Sequence, residues 1–273
     1  MTAEARLDGH VAIVTGSGRG VGRAIAEALA QAGAAIAVAA RSRDEIEATA
    51  DAIIGMGCRA IAVSTDVTNG ATVDKLVAAT ESSLGPPTLL VNNAGAWRAV
   101  GSVADADPST WWGDVEVNLK GTFLCSRAVL PGMLRRGAGR IVNVSSYAAV
   151  APRPYLTAYA SAKAAVLRFT DSLAGELEGT GVVAIAITPG FVRTELVEHV
   201  AASPAGRRFL PELAERPDSL EPERAARLVV QIAAGRLDTL AGRFIHVLDD
   251  VEALVQNAAR IRRDDLYTLR LRT

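Results

Sequence analysis

Residues 10–22 read HVAIVTGSGRGVG, a short apolar and β-branched run that breaks into glycines. His10 to Thr15 has the composition of a strand buried on both faces. Val21 to Ala32 follows, with Val21, Ile25, Ala28 and Leu29 on one side at helical spacing. A strand, a glycine loop and a helix in this order can cradle a pyrophosphate. The turn needs residues without Cβ, the phosphates approach the backbone closely, and the helix N-terminus supplies N–H groups and partial positive charge. Gly16-Ser17-Gly18-Arg19-Gly20-Val21-Gly22 is therefore the candidate phosphate loop. Its working glycines are Gly16, Gly20 and Gly22, so it departs from the G-x-G-x-x-G spacing, and a tight turn alone is the other reading.

The pattern continues outward from that unit. Ala34 to Ala40 reads as a second strand and ends in Arg41-Ser42-Arg43. An acidic residue at this strand end would bond the ribose hydroxyls of NAD, whereas arginine suits the additional phosphate of NADP. Arg41 and Arg19 are placed to face that phosphate with charge-assisted hydrogen bonds, which favours NADP(H), with NAD(H) as the alternative. Asp44 to Gly55 reads as a helix. Arg59 to Ser64 reads as a third strand leading to Asp66-Val67. Asp66 is a candidate acceptor for an adenine amine, or the N-cap of a helix over 68–84. A fourth strand, Leu89 to Val91, ends in Asn92-Asn93-Ala94-Gly95, at the sheet edge where open α/β folds bind ligands.

Further on, Tyr159 and Lys163 lie four residues apart, one helical turn from each other. A nearby ammonium favours the phenolate and lowers a phenol's pKa, which would let Tyr159 exchange protons with a substrate oxygen. An isolated pair of this kind is more often a snorkelling surface pair. Ile141 to Val144 reads as a strand ending at Ser145-Ser146.

Together these residues resemble the short-chain dehydrogenase/reductase family in its compact single-domain form. The matching motifs are Thr15-Gly16-x-x-x-Gly20-x-Gly22, Asn92-Asn93-Ala94-Gly95, Asn118 within Val117 to Gly121, Ser146, Tyr159-x-x-x-Lys163 and Pro189-Gly190. They run in the family's order from about residue 8 to residue 194. The resemblance implies that Tyr159 is the acid/base and that Ser146 bonds the substrate oxygen. It implies that Lys163 holds the nicotinamide ribose and that Asn118 holds a relay water. Ser146 is preferred to Ser145 because it precedes Tyr159 by the family's usual interval, and Tyr155 lacks a lysine four residues later. Val192 and Thr194 are implied to hold the carboxamide; the other reading of Thr194, a helix cap before Glu195 to Val200, has no capping box to support it, since Val197 stands where an acid would. The implied reaction moves hydride between the nicotinamide and a carbonyl or secondary alcohol, while Tyr159 moves the proton.

Thr157 to Glu178 reads as a long helix, and Val182 to Thr188 as a sixth strand. In the family this helix and residues 108–136 pair with another subunit, which implies a homodimer or homotetramer. Residues 195–220, rich in proline, read as an irregular lid over a small-molecule substrate. Arg207 and Arg208 there read as solvated cations or as contacts to an anionic group. A helix over 222–234 and a seventh strand, Phe244 to Leu248, follow. The family's Asp-Gly-Gly turn is replaced by Leu248-Asp249-Asp250, and a helix over 251–259 and a basic tail end the sequence.

The expected fold is one doubly wound α/β Rossmann-type domain over residues 1–273. It has a seven-stranded parallel sheet with helices on both faces, by resemblance in the order 3-2-1-4-5-6-7. The cofactor half spans about 8–150 and the catalytic half about 151–273, with the atypical tail at 249–273. The net charge of -1 and the absence of a basic block argue against nucleic acid and membrane surfaces as partners. No apolar run is long enough to span a bilayer, and Met1 to Gly9 does not read as a secretory signal, so a cytoplasmic protein is expected. Cys58, Cys125, His10, His199 and His246 form no metal-ligand spacing. A cofactor-binding regulator without turnover is the reading from a different class, and only the unusual tail supports it.

Overall fold

The computed structural model describes residues 6–271. Residues 1–5 of the N-terminal segment and 272–273 of the tail lie outside the described residues. Seven parallel strands form one sheet in the order β3-β2-β1-β4-β5-β6-β7. In chain order the first half contains β1 (Val11–Thr15), α1 (Gly20–Gln31), β2 (Ala35–Ala40), α2 (Arg43–Gly55), β3 (Ala60–Ser64), α3 (Gly70–Ser83) and β4 (Leu89–Asn92). Next come α4 (Pro108–Val115), α5 (Gly121–Arg136), β5 (Gly139–Val144), α6 (Thr157–Glu176) and β6 (Val182–Thr188).

Alternate residues of one strand enter opposite cores, which is why these strands read as unbroken apolar runs. Ala12 and Val14 pack in one core with Ile25 and Leu29 of α1, while Val11 and Ile13 pack in the other with Leu76 of α3 and Met133 of α5. Burying each such Ile or Leu contributes roughly 1.5–3 kcal/mol.

The lid segment differs from the expected irregular loop. It folds as three short helices, α7 (Glu195–Ala202), α8 (Pro204–Phe209) and α9 (Glu212–Glu215). The prolines start helices here instead of breaking them. Ser203 caps α8, its Oγ accepting from Gly206 N at 2.9 Å, and Pro204 occupies a first-turn position that needs no N–H donor. α10 (Pro222–Ala233) then packs against α1 in the first core.

β7 (Phe244–His246) is shorter than expected, because the turn after it begins early. Side chains shape that turn in place of glycines. Asp249 accepts from His246 N at 2.7 Å, and His246 Nδ1 accepts from Leu248 N at 3.1 Å. The single helix expected over 251–259 is two, α11 (Val251–Gln256) and α12 (Ala258–Arg263), divided at Asn257. Beyond them the tail runs along the outer edge of β7 and over α6. Phe244 N donates to Tyr267 O at 2.8 Å, and Arg168 donates to Leu269 O at 2.7 Å. Among the described residues no helix is long and apolar enough to cross a membrane, and no group of side chains is arranged to hold a metal.

Candidate active site

A cleft of about 1030 Å³ opens at the carboxyl ends of the strands. It lies at the switch point where β1 connects outward to β2 while its other neighbour is β4. Every residue expected at the cofactor and catalytic sites lines this cleft except Ser17. The Ser17 hydroxyl is buried between strands, donating to Val14 O at 2.6 Å and accepting from Ala39 N at 3.0 Å. Ser17 therefore fixes the loop from behind.

The loop needs its glycines for steric reasons. Gly16 has φ +64°, and a Cβ there would sit 2.8 Å from Ala94 Cα. A Cβ on Gly22 would sit 2.2 Å from Gly16 O, so the helix could not close on the strand. Asn93 holds the same turn, its amide donating to the Thr15 and Gly16 carbonyls at 3.0 and 3.1 Å. α1 begins without a capping side chain, leaving its first N–H groups for a ligand. A cradle with bare donors and no room for Cβ fits a dinucleotide pyrophosphate.

At the adenosine end the two expected arginines differ. Arg19 bonds Glu45 at 3.2 Å and Glu195 at 2.8 Å, whereas Arg41 makes no ion pair among the described residues. Asp66 accepts from Thr68 N and Oγ1, and these bonds hold its carboxyl below the usual range. It is not the helix cap considered above. Asn69 takes that place, one residue before α3, accepting from Ala71 N at 3.0 Å. Thr194 does cap α7, accepting weakly from Val197 N at 3.5 Å, while its methyl faces Gly20 across the cleft.

At the other end Ser146, Tyr159, Lys163 and Asn118 come together from β5, α6 and a π turn. Both serines line the cleft, but the Ser145 hydroxyl is spent on Lys163 O at 2.9 Å, whereas Ser146 hydrogen-bonds Tyr159. Tyr155 lies outside the cleft lining and packs on Phe209. Lys163 is buried, donates from Nζ to Val144 O at 2.8 Å, and lies 5.7 Å from the Tyr159 ring centroid. Burial pushes its pKa down to about 8. The lowered phenol expected from the sequence is not found. Burial raises the Tyr159 pKa, and its hydrogen bond with Ser146 offsets this only in part. Asn118 sits in the π turn Glu116–Lys120 between α4 and α5, fully buried. Its Nδ2 donates to Ala96 O at 2.7 Å and Asp114 O at 2.8 Å, while its Oδ1 has no partner. That orphan acceptor lies 3.0 Å from the point where a Cβ on Gly95 would sit, and Lys163 Nζ lies 3.9 Å from the same point.

The sequence pattern of the family described as short chain dehydrogenase matches residues 10–205. The chain belongs to that family. As a short-chain dehydrogenase it is an NAD(P)-dependent oxidoreductase acting on small molecules. It is 36% identical to a short chain dehydrogenase of Pseudocercospora fijiensis, over 98% of this chain and 91% of that protein. It is 38% identical to a 3-oxoacyl-[acyl-carrier-protein] reductase of Synechocystis, over 75% of this chain and 83% of that protein. Among solved structures, a gluconate 5-dehydrogenase from Burkholderia cenocepacia in complex with NADP and tartrate superposes with a TM-score of 0.79 at 30% identity. The match covers 89% of this chain and 95% of that one.

Several residues of this short-chain dehydrogenase's site escape sequence reasoning. Trp97 stacks on Tyr159 with ring centroids 5.4 Å apart and planes 19° apart. Asp114, fully buried, accepts from Arg98 N, Ala99 N and Arg98 Nε at 2.7–2.8 Å and so clamps the strand-end loop onto α4. Its position four residues before Asn118 was the available signal. Arg207 and Arg208 stay at the surface, Arg207 on Ala202 O and Arg208 over Phe209, and neither lines the cleft. The arginines that do line the substrate end are Arg153 and Arg216, the latter paired with Asp218.

Proposed function

We propose that this short-chain dehydrogenase is an NADP(H)-preferring reductase of ketones or aldehydes, run in reverse as a secondary-alcohol dehydrogenase, with Tyr159 as the acid/base. The observation that carries this reading is the convergence of Ser146, Tyr159, Lys163 and Asn118 at one end of a cleft whose other end presents an unpaired Arg41. A bound nicotinamide cofactor supplies or takes up the hydride. The glycine loop and the bare start of α1 hold its pyrophosphate, Arg41 faces the ribose phosphate, and Val67 and Asp66 flank the base. Ala94, Gly95, Lys163, Pro189, Gly190, Val192 and Thr194 surround the nicotinamide half.

Ser146 and Tyr159 donate hydrogen bonds to one substrate oxygen and stabilise the charge that develops there. A raised phenol pKa keeps Tyr159 protonated at neutral pH, which suits giving a proton to an alkoxide. Lys163 and the orphan Asn118 Oδ1 then return a proton through water. Lid helices α7–α9 place Leu210 and Leu213 over the substrate end and exclude solvent. The Burkholderia structure with NADP supports the cofactor preference. Glu45 favours the NAD-linked alternative, because it occupies Arg19 and its Oε2 lies 3.0 Å from the Cβ point of Gly18.

In this reading the whole chain works as one cytoplasmic unit, paired with itself through α5 and α6. Following NADPH fluorescence against aldehydes, ketones and 3-oxoacyl thioesters tests it, with Tyr159→Phe alongside. Wild-type turnover that disappears in the variant supports the proposal, and a fully active Tyr159→Phe enzyme sinks it.

A further inference from the structure

Four arginines line the cleft, and three of them already have a partner or a place. Arg19 pairs with Glu45 and Glu195. Arg216 pairs with Asp218, has Glu212 near it, and lies over the Phe191 ring. Arg41 stands at the adenosine end. The fourth, Arg153, is exposed and makes no ion pair or side-chain hydrogen bond among the described residues. Its guanidinium lies over the Tyr147 ring, 5.8 Å from the centroid, on the wall that carries Ser146. The one lysine of the cleft, Lys163, is turned to Val144 O.

The backbone under Arg153 is fixed. Pro152 and Pro154 flank it and lock their own φ angles. Leu156 N donates to Arg153 O at 3.2 Å, and Gly101 N donates to Tyr155 O at 2.9 Å. Tyr155 keeps a left-handed backbone, φ 66°, a strained conformation for a bulky residue. This turn runs straight into α6, which starts at Thr157 and carries Tyr159. A free guanidinium is thus held in a set relation to the acid/base, so little ordering is needed for it to meet an anion. Leu210 and Leu213 of the lid line the same end, and an apolar cover strengthens an ion pair formed beneath it.

We propose that Arg153 is a specificity-determining residue that receives a carboxylate of the substrate, so that the preferred substrates are oxo acids. The proposal rests on the carbonyl-reductase reading above. Ser146 and Tyr159 take the reacting carbonyl oxygen, and the planar fork of Arg153 takes the carboxylate at the other end of the molecule with charge-assisted hydrogen bonds. An uncharged ketone leaves the lid to cover an unpaired charge, which is costly, and is discriminated against.

The test compares pyruvate, levulinate and 5-oxohexanoate with their methyl esters in wild type and Arg153→Gln, so that each pair differs in charge. Wild type should favour at least one acid over its ester about ten- to hundred-fold in kcat/KM, chiefly through KM, and added salt should shrink the margin. Arg153→Gln should lose about ten-fold more on that acid than on its ester, and Arg153→Lys should recover part of the preference. Turnover with no acid favoured over its ester, or equal losses on acid and ester, overturns the proposal and leaves the reductase reading standing. Calorimetric titration of the same acids into the NADPH-loaded protein separates the two readings where turnover is absent. An acid whose binding weakens about ten-fold in Arg153→Gln supports the carboxylate site, and binding that is absent from wild type or unchanged by the substitution refutes it.

Discussion

Arg19 of the phosphate loop and Glu195 at the start of α7 form an ion pair of 2.8 Å between residues 176 positions apart in sequence. It ties the cofactor cradle to the lid. Both side chains are more than half exposed, and such pairs contribute only about 0–1 kcal/mol. The tie is therefore weak enough for a phosphate to displace. Glu195→Gln should leave Arg19 held by Glu45 alone and tighten NADPH binding about two- to five-fold while leaving NADH unchanged. Fluorescence titrations at low and high salt check this, and the gain should shrink as salt screens the charges.

In the proposed reading Arg41 bears the cofactor preference more directly. Arg41→Ala should raise the Kd for NADPH about ten- to hundred-fold, as expected for losing a hydrogen bond to a charged group. NADH binding should stay within about two-fold. Equal loss for both cofactors would assign Arg41 to the loop's structure and not to phosphate recognition.

In the proposed reaction, removing the Ser146 hydroxyl takes one donor from the reacting oxygen. Ser146→Ala should lower kcat by about 10²-fold or more with NADPH affinity preserved, measured by steady-state kinetics and titration.

Lys163 makes stability depend on pH in a defined direction. Its folded pKa, about 8, lies below its ordinary value of 10.5, so between these values the unfolded chain binds the proton that the folded chain has released. Stability from this group therefore rises with pH from about 8 to about 10.5 and is lowest below 8. Relative to Lys163→Met, wild type should gain on the order of 3 kcal/mol across that window. Urea unfolding at pH 7, 8, 9 and 10 measures it, and parallel curves for the two proteins would contradict it.

Asp114 should matter to folding more than its distance from the chemistry suggests. Asp114→Ala strips the acceptor from Arg98 N and Ala99 N and should cost at least about 2 kcal/mol in denaturant unfolding.

The sheet was legible because doubly buried parallel strands leave continuous apolar runs, and because a Cβ at Gly16 or Gly22 would collide with backbone. The meeting of Tyr159 and Lys163 at the cleft was legible from their spacing along α6, and that of Ser146 from its interval to Tyr159 in the family pattern. What the sequence hid depends on groups brought together from distant positions. The Trp97 stack, the Asp114 clamp and the pairing of Arg19 with Glu45 and Glu195 leave no periodic trace. The helices of the lid are hidden because proline reads as a breaker, whereas here Ser203 and Pro204 together begin a helix. The direction of the Tyr159 shift is hidden as well, because the spacing reveals the nearby charge but not the burial, and burial prevails.

The tail seals the outer edge of β7 with a backbone bond from Phe244 N to Tyr267 O, and ion pairs fasten it, Arg243 to Asp265 and Arg270 to Asp171. An open strand edge is a template for pairing with other chains. Residues 264–271 are made after every strand of the sheet, so during synthesis β7 emerges before its cover. The order of manufacture thus gives the nascent protein an interval in which its newest strand is unguarded. Laying down this strap takes one of the sheet's two edges, the one at β7, away from strangers.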